Sequence, residues 1–197
     1  LTLRPLESGR AIVLGDMPTD SGAYSNALNI SRTSISNLVD GLGAIVVGSN
    51  QSSNPIIFNG HATGPLVFND PLKLYANGAE GYVQINTAVS AESLTIYGSG
   101  HTTVLGGDLS LASGLAIHDA LLVSGQRNIS STSGDLVIGQ AGQSFFVSGL
   151  MDDNNTADTL RLTAGNGGDV VFLSAIVNTR GVTQSAEGLQ GLEIRAD

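Results

Sequence analysis

Apolar residues in this chain arrive in bursts of about four, each closed by Gly, Asn, Asp or Ser. A helical period is hard to find. The bursts run from Ala11–Leu14, Leu28–Ile30 and Ala44–Val47 to Leu160–Leu162, Val170–Leu173 and Leu192–Ile194. Many alternate as half-buried strands do: Leu72-Lys73-Leu74, Val83-Gln84-Ile85, Leu94-Thr95-Ile96 and Leu109-Ser110-Leu111 each set a polar residue between two apolar ones. In an extended chain the middle side chain faces water and its neighbours face the core.

The spacing constrains the fold further. Ile56-Ile57-Phe58-Asn59-Gly60 is echoed by Leu66-Val67-Phe68-Asn69-Asp70. From residue 55 to residue 123 the bursts follow one another at intervals of about six to eleven residues, a rhythm that suits a β-sandwich or a β-solenoid. The strands are short and more numerous than one sandwich uses, and aromatics are only 5% of the chain. These features favour an all-β chain, a parallel β-helix (β-solenoid) with short loop excursions. Two or three strands per turn predict turns of about 20–30 residues and seven or eight turns.

Such a turn cannot bury its own faces and is stable only when neighbours stack on it. The corners then fall at Asn59-Gly60, Asn77-Gly78, Gly106-Gly107-Asp108 and Asn166-Gly167-Gly168, where positive φ or close backbone approach is tolerated. Gly15–Ser25, Met151–Ala157 and Thr179–Gly188 break the rhythm and read as excursions, and Ser31–Gly41 as a short helix or a strand and turn. No linker divides the chain, so residues 1–197 form one domain in this reading. It opens and closes inside strand-like patterns, as a segment of a longer stack would.

Composition narrows the function classes. Net charge is −9, and Lys73 is the only lysine beside seven arginines, so the clustered cations that displace counterions from nucleic acid are not here. No apolar run approaches the roughly 18 residues of a membrane-spanning helix. With no Cys there is neither a disulfide framework nor thiol chemistry.

The candidate chemistry is thin. Asp152, Asp153 and Asp158, in Asp152-Asp153-Asn154-Asn155-Thr156-Ala157-Asp158, offer hard oxygen ligands for Ca²⁺, without the spacing of an EF-hand loop or its closing Glu. A solvated turn explains the same residues. His61, His101 and His118 have no second His at metal-ligand spacing and read as exposed turn residues. His118 and Asp119 are adjacent, and neighbours in a strand point to opposite faces. No nucleophile elbow or phosphate-binding loop occurs. The expectation is therefore no catalytic residues, no resident cofactor other than this calcium candidate, and no enzyme. Tyr24, Tyr75, Tyr82 and Tyr97 are the aromatics that can stack on sugars, with semi-buried packing as the plain alternative. Asn-x-Ser/Thr sequons at Asn29, Asn50, Asn128 and Asn154 read as chance in so Ser- and Asn-rich a chain.

Two stretches carry a resemblance. Leu1-Thr2-Leu3-Arg4-Pro5 with Gly9-Arg10-Ala11-Ile12-Val13-Leu14-Gly15, followed by Leu38, Leu42 and Ala44-Ile45-Val46-Val47-Gly48, is similar to the opening of filamentous-haemagglutinin-like β-strand-repeat bacterial exoproteins. Leu160–Phe172, running on to Leu189 and Leu192-Glu193-Ile194, resembles the strand, glycine turn, strand unit of the same family. The resemblance implies a right-handed parallel β-helix at the bacterial cell surface or outside the cell, serving as a structural and adhesive shaft. Its partners would be neighbouring coils of the parent protein and surface glycans or other cells, with no nucleic acid and no membrane insertion. Where the family's secretion module carries an Asn-Pro-Asn-type motif, this chain has Ser53-Asn54-Pro55-Ile56, which points to the shaft rather than that module. The competing reading is a carbohydrate-binding or carbohydrate-cleaving β-helix of the polysaccharide-lyase or glycosidase kind.

Overall fold

The structure is a computed structural model that describes residues 1–17, 24–60, 64–78, 80–143, 146–149, 158–173, 175–176 and 191–196. It is all-β, built of long, strongly curled parallel sheets. Every strand pairing among the described residues is parallel, and the pairings form three ladders visited in rotation.

The first ladder stacks β1 (Thr2–Leu3), β4 (Ile45–Ser49), β7 (Leu72–Ala76), the first half of β10 (Leu94–Leu105), the first half of β12 (Leu115–Val123), β14 (Leu136–Ile138) and β17 (Val170–Phe172). The second stacks β3 (Leu28–Ile30), β2 (Ile12–Gly15), β5 (Ile56–Asn59), β8 (Val83–Ile85), the second halves of β10 and β12, β15 (Phe146–Gly149) and β18 (Ala175–Ile176). The third stacks β6 (Leu66–Phe68), β9 (Val89–Ala91), β11 (Leu109–Leu111), β13 (Gln126–Ser131), β16 (Thr159–Ala164) and β19 (Gly191–Ala196).

Leu94, Leu115 and Leu136 stand in one register, and the corner bond from Ser113 Oγ to Glu92 O spans the same 21-residue step. At the Asn77–Asn50 corner the step is 27 residues, and at Asp169–Asp135 it is 34. The steps of 21 and 27 residues fall within the length anticipated from the sequence, whereas the 34-residue step, which contains the Met151–Ala157 excursion, and the 44-residue step from Thr2 to Val46 exceed it. That excursion and Thr179–Gly188 lie outside the described residues.

Alternation explains the core. Leu72, Leu74, Leu94, Ile96, Leu115, Ile117, Leu136 and Ile138 turn inward from the first ladder and are buried, while Lys73, Thr95, Ala116 and Val137 between them stay partly exposed. The inward residues of all three ladders make one continuous apolar core, with Phe58 edge-on to Phe68 at 6.2 Å. At about 25 cal/mol per Å², each of these fully buried aliphatic side chains contributes about 1.5–3 kcal/mol.

Three local features differ from expectation. Leu94–Tyr97 and Val104–Leu105, separate bursts in the sequence, belong to one strand that bends across two ladders, and Leu115–Val123 does the same. The register shift between Tyr97 and Thr102 marks the bend. β9 and β13 have no apolar burst, and parallel neighbours on both sides hold them in place. Ser31–Gly41 resolves as a helix, α1 (Arg32–Ser36), with Ser31 as N-cap accepting from the Ser34 N–H. α1 packs on β2 and β6 and buries Ile35. β3 pairs with the edge of β2, and α1 packs beside β6, the first strand of the third ladder, so these two strand edges are not left bare.

Candidate functional site

Parallel in-register stacking places residues far apart in sequence in straight files up the outside of the ladders. On the first ladder, Tyr75, Tyr97 and His118 are in register on three successive strands and point outward. The Tyr75 and Tyr97 rings stack with centroids 4.5 Å apart and planes 8° from parallel. Tyr97 and His118 stack at 5.4 Å and 24°. These separations match the roughly 4.7–4.9 Å between neighbouring strands, so the ladder itself dictates the stack. All three side chains are half-buried. Burial, followed by the charge and hydrogen bond of the Tyr97 hydroxyl, raises the Tyr75 phenol above its ordinary range.

Glycine bounds the file at both ends. Gly48 pairs with Tyr75, and Gly139 follows Ile138, the partner of Ile117, donating its N–H to Ile117 O. Beyond Gly48 comes Arg4, because Leu3 pairs with Val47. The Gly48 position is an open depression of about 460 Å³ bordered by Thr2, Arg4, Ser49, Asn50 and Tyr75. One face of Tyr75 therefore meets Tyr97, and Tyr75 and Arg4 both border the depression at Gly48, where no side chain stands. Neither Arg4 nor Lys73 has an ion-pair partner among the described residues.

A second hollow, about 440 Å³, lies on the third ladder between Gln126, Arg127, Arg161, Leu192 and Glu193. Glu193 pairs with Arg161 at 2.7 Å and Arg195 at 2.5 Å. Hydrogen bonds from Arg195 and then Arg161 hold its carboxyl below the usual range. A carboxylate kept ionised in this way is a poor general acid, and a second carboxylate to work with it is not among the residues lining the hollow.

The residues singled out from sequence fall as follows. Asp158 is buried, 2% exposed, and its Oδ1 accepts from the Gly125 N–H at 2.6 Å. Asp152, Asp153 and Asn154 lie outside the described residues. Among the described residues no three His, Cys, Asp or Glu side chains gather as metal ligands would. His118 is not a turn residue as anticipated; it occupies an outward strand position and stacks on Tyr97. Asp119 beside it is buried, with Oδ1 accepting from the Ala120 N–H, so the two point apart as alternation requires. His61 and the side chain of His101 lie outside the described residues. Tyr82 packs with Tyr24 in a different hollow, and burial, then the Tyr24 charge and hydrogen bond, pushes its phenol up to about 12. Asn54 is fully buried and donates through Nδ2 to Glu7 O and Arg10 O, which gives Ser53-Asn54-Pro55-Ile56 a bracing role at a corner.

The glycine-bounded file was not anticipated. Tyr75 and Tyr97 were visible as strand-end aromatics, but their union with His118, Gly48 and Arg4 depends on register. No family model matches the chain, and no curated protein or solved structure matches it either.

Proposed function

We propose that this chain is a right-handed parallel β-helix serving as a structural and adhesive shaft of a filamentous-haemagglutinin-like exoprotein at the bacterial cell surface. One observation carries the reading: three parallel ladders, each in register turn after turn, surround one continuous aliphatic core. Backbone hydrogen bonds run from turn to turn along the stack, as in Leu94 N–H to Gly114 O and Leu115 N–H to Asp135 O, so bending it strains many bonds together. Right-handedness is favoured because parallel crossovers within a sheet take that hand in about 98% of cases. A net charge of −9 favours solubility outside the cell. In this reading the partners are neighbouring turns of the parent protein and glycans or cells beyond it, with neither cofactor nor catalysis.

The test is display on the surface of a non-adherent bacterium, with retention measured under flow. Retention above that given by an inert rod of equal length supports the reading, and equal retention overturns the adhesive half. Distances between labels on successive turns address the other half: equal steps of about 4.8 Å along one axis support the shaft, and unequal steps remove it.

The carbohydrate reading keeps one specific support, the half-buried aromatic file with an open end. Release of unsaturated product from uronic polymers would make the chain a lyase and replace the shaft reading.

A further inference from the structure

We infer that the depression at Gly48 binds one carboxylate-bearing pyranose ring, sandwiched between the free face of Tyr75 and the Arg4 guanidinium. The inference rests on the adhesive reading and gives the shaft a specific ligand class.

The first argument is thickness. Arg4 directly follows Leu3, whose partner Val47 precedes Gly48, and Gly48 pairs with Tyr75, so continuing the register sets Arg4 about two strand spacings from Tyr75. Two strand spacings amount to about 9.5 Å. A ring touching groups on both sides needs about 3.5–4.0 Å of clearance to each, or roughly 7–8 Å. One ring fits this gap, and two do not.

The Gly48 gap is built into the fold. Gly48 sits at φ +83°, where L side chains are rarely found, and a Cβ there would stand 2.1 Å from the Tyr75 carbonyl oxygen. The position excludes any side chain, so the face of Tyr75 cannot be covered from within its own file.

Chemistry selects the ring. The Tyr75 phenol presents a flat apolar face suited to the C–H face of a pyranose. Thr2, Ser49 and Asn50 at the margin supply hydroxyl and amide groups for sugar hydroxyls. Arg4 offers a planar donor fork that matches a carboxylate. Lys73 lies on the same outer face two residues before Tyr75 and adds a second cation. A chain of net charge −9 disfavours densely charged polyanions, whereas one carboxylate per sugar can be met by a local pair of cations.

The experiment titrates the full chain by calorimetry with a hexuronate oligosaccharide and with its carboxyl-reduced, neutral counterpart. The wild type should bind the acidic oligomer about tenfold or more tightly than the neutral one. Tyr75→Ala should weaken binding of both by about tenfold or more, and Arg4→Gln should erase the preference for the acid. Tyr75→Phe, which keeps the ring, should bind as the wild type does and guards against a folding artefact. No binding by the wild type, or binding unchanged in Tyr75→Ala and Arg4→Gln, overturns the site. A chain whose turns stack in equal steps of about 4.8 Å yet ignores the hexuronate loses this site alone, whereas unequal steps remove the shaft reading beneath it.

Discussion

Gly48 passes so close to Tyr75 that a Cβ on it would stand 2.1 Å from the Tyr75 carbonyl oxygen, and its φ of +83° is one that side chains disfavour. Gly41 has a similar φ of +93° but nothing within 4 Å of where its Cβ would be. Gly41→Ala should therefore cost only the backbone strain, about 1 kcal/mol. Gly48→Ala adds a backbone clash inside the first ladder and should cost about 3 kcal/mol or more. Urea unfolding midpoints of the two variants measure the difference, and equal midpoints would contradict the close packing of these strands.

Thr103 occupies an inward position between Val83 and Leu121 and is fully buried, and its hydroxyl has no hydrogen-bond partner. Its neighbours in the file are aliphatic, so the hydroxyl is desolvated without return. Thr103→Val, nearly the same shape, should stabilise the fold by about 1 kcal/mol. For a chain of this size that is a rise in Tm of about 2–4 °C, readable by circular dichroism. A lower Tm would place Thr103 outside the core.

Asp158 ties β16 to the corner before β13: its carboxylate accepts the Gly125 N–H, and the Thr159 N–H reaches Gly125 O at 3.0 Å. Asp158→Ala should destabilise by about 2 kcal/mol, because the buried N–H loses a charged acceptor. Asp158→Asn, whose amide oxygen still accepts, should lose less. Calcium tests the alternative role. If Asp158 only braces the corner, the melting midpoints with calcium and with chelator coincide, and a midpoint raised by calcium would return this residue to a metal site.

Tyr82 carries a pH signature. Burial and Tyr24 raise its phenol to about 12 in the fold, against about 10 in an unfolded chain. The fold favours the neutral phenol, so its contribution to stability is complete below pH 10. It declines as pH rises from 10 to 12, while the unfolded chain ionises first. Denaturation midpoints should fall across that window, and Tyr82→Phe should flatten the fall. An unchanged slope in the variant would assign the effect to another group.

How far the sequence could be read follows from where the fold's information lies. Leu72-Lys73-Leu74 and Leu94-Thr95-Ile96 announce themselves because alternation is local, and their inward residues are buried as it requires. Gln126–Ser131 does not: Ile129 is its one apolar residue, so it makes no apolar burst, and it is a strand because Leu109–Leu111 and Thr159–Ala164 flank it. The same limit hid the aromatic file. Tyr75, Tyr97 and His118 meet only once the turns are counted, and a turn of 27 or 34 residues moves the count. Conversely, Asp158 was conspicuous as part of an acidic run, yet its buried hydrogen bond to Gly125 connects residues 33 apart that sequence alone does not join.

The stacking of turns is tested most directly by distance. Val46, Lys73, Thr95, Ala116, Val137 and Val171 form one outward file, one residue per turn. The chain has no cysteine, so spin labels can be placed at Val46 paired in turn with Ala116, Val137 and Val171. Pulsed electron resonance should give separations of about 14, 19 and 24 Å, growing by roughly 4.8 Å with each turn. Separations that fail to climb in equal steps would mean that the turns do not pile along one axis.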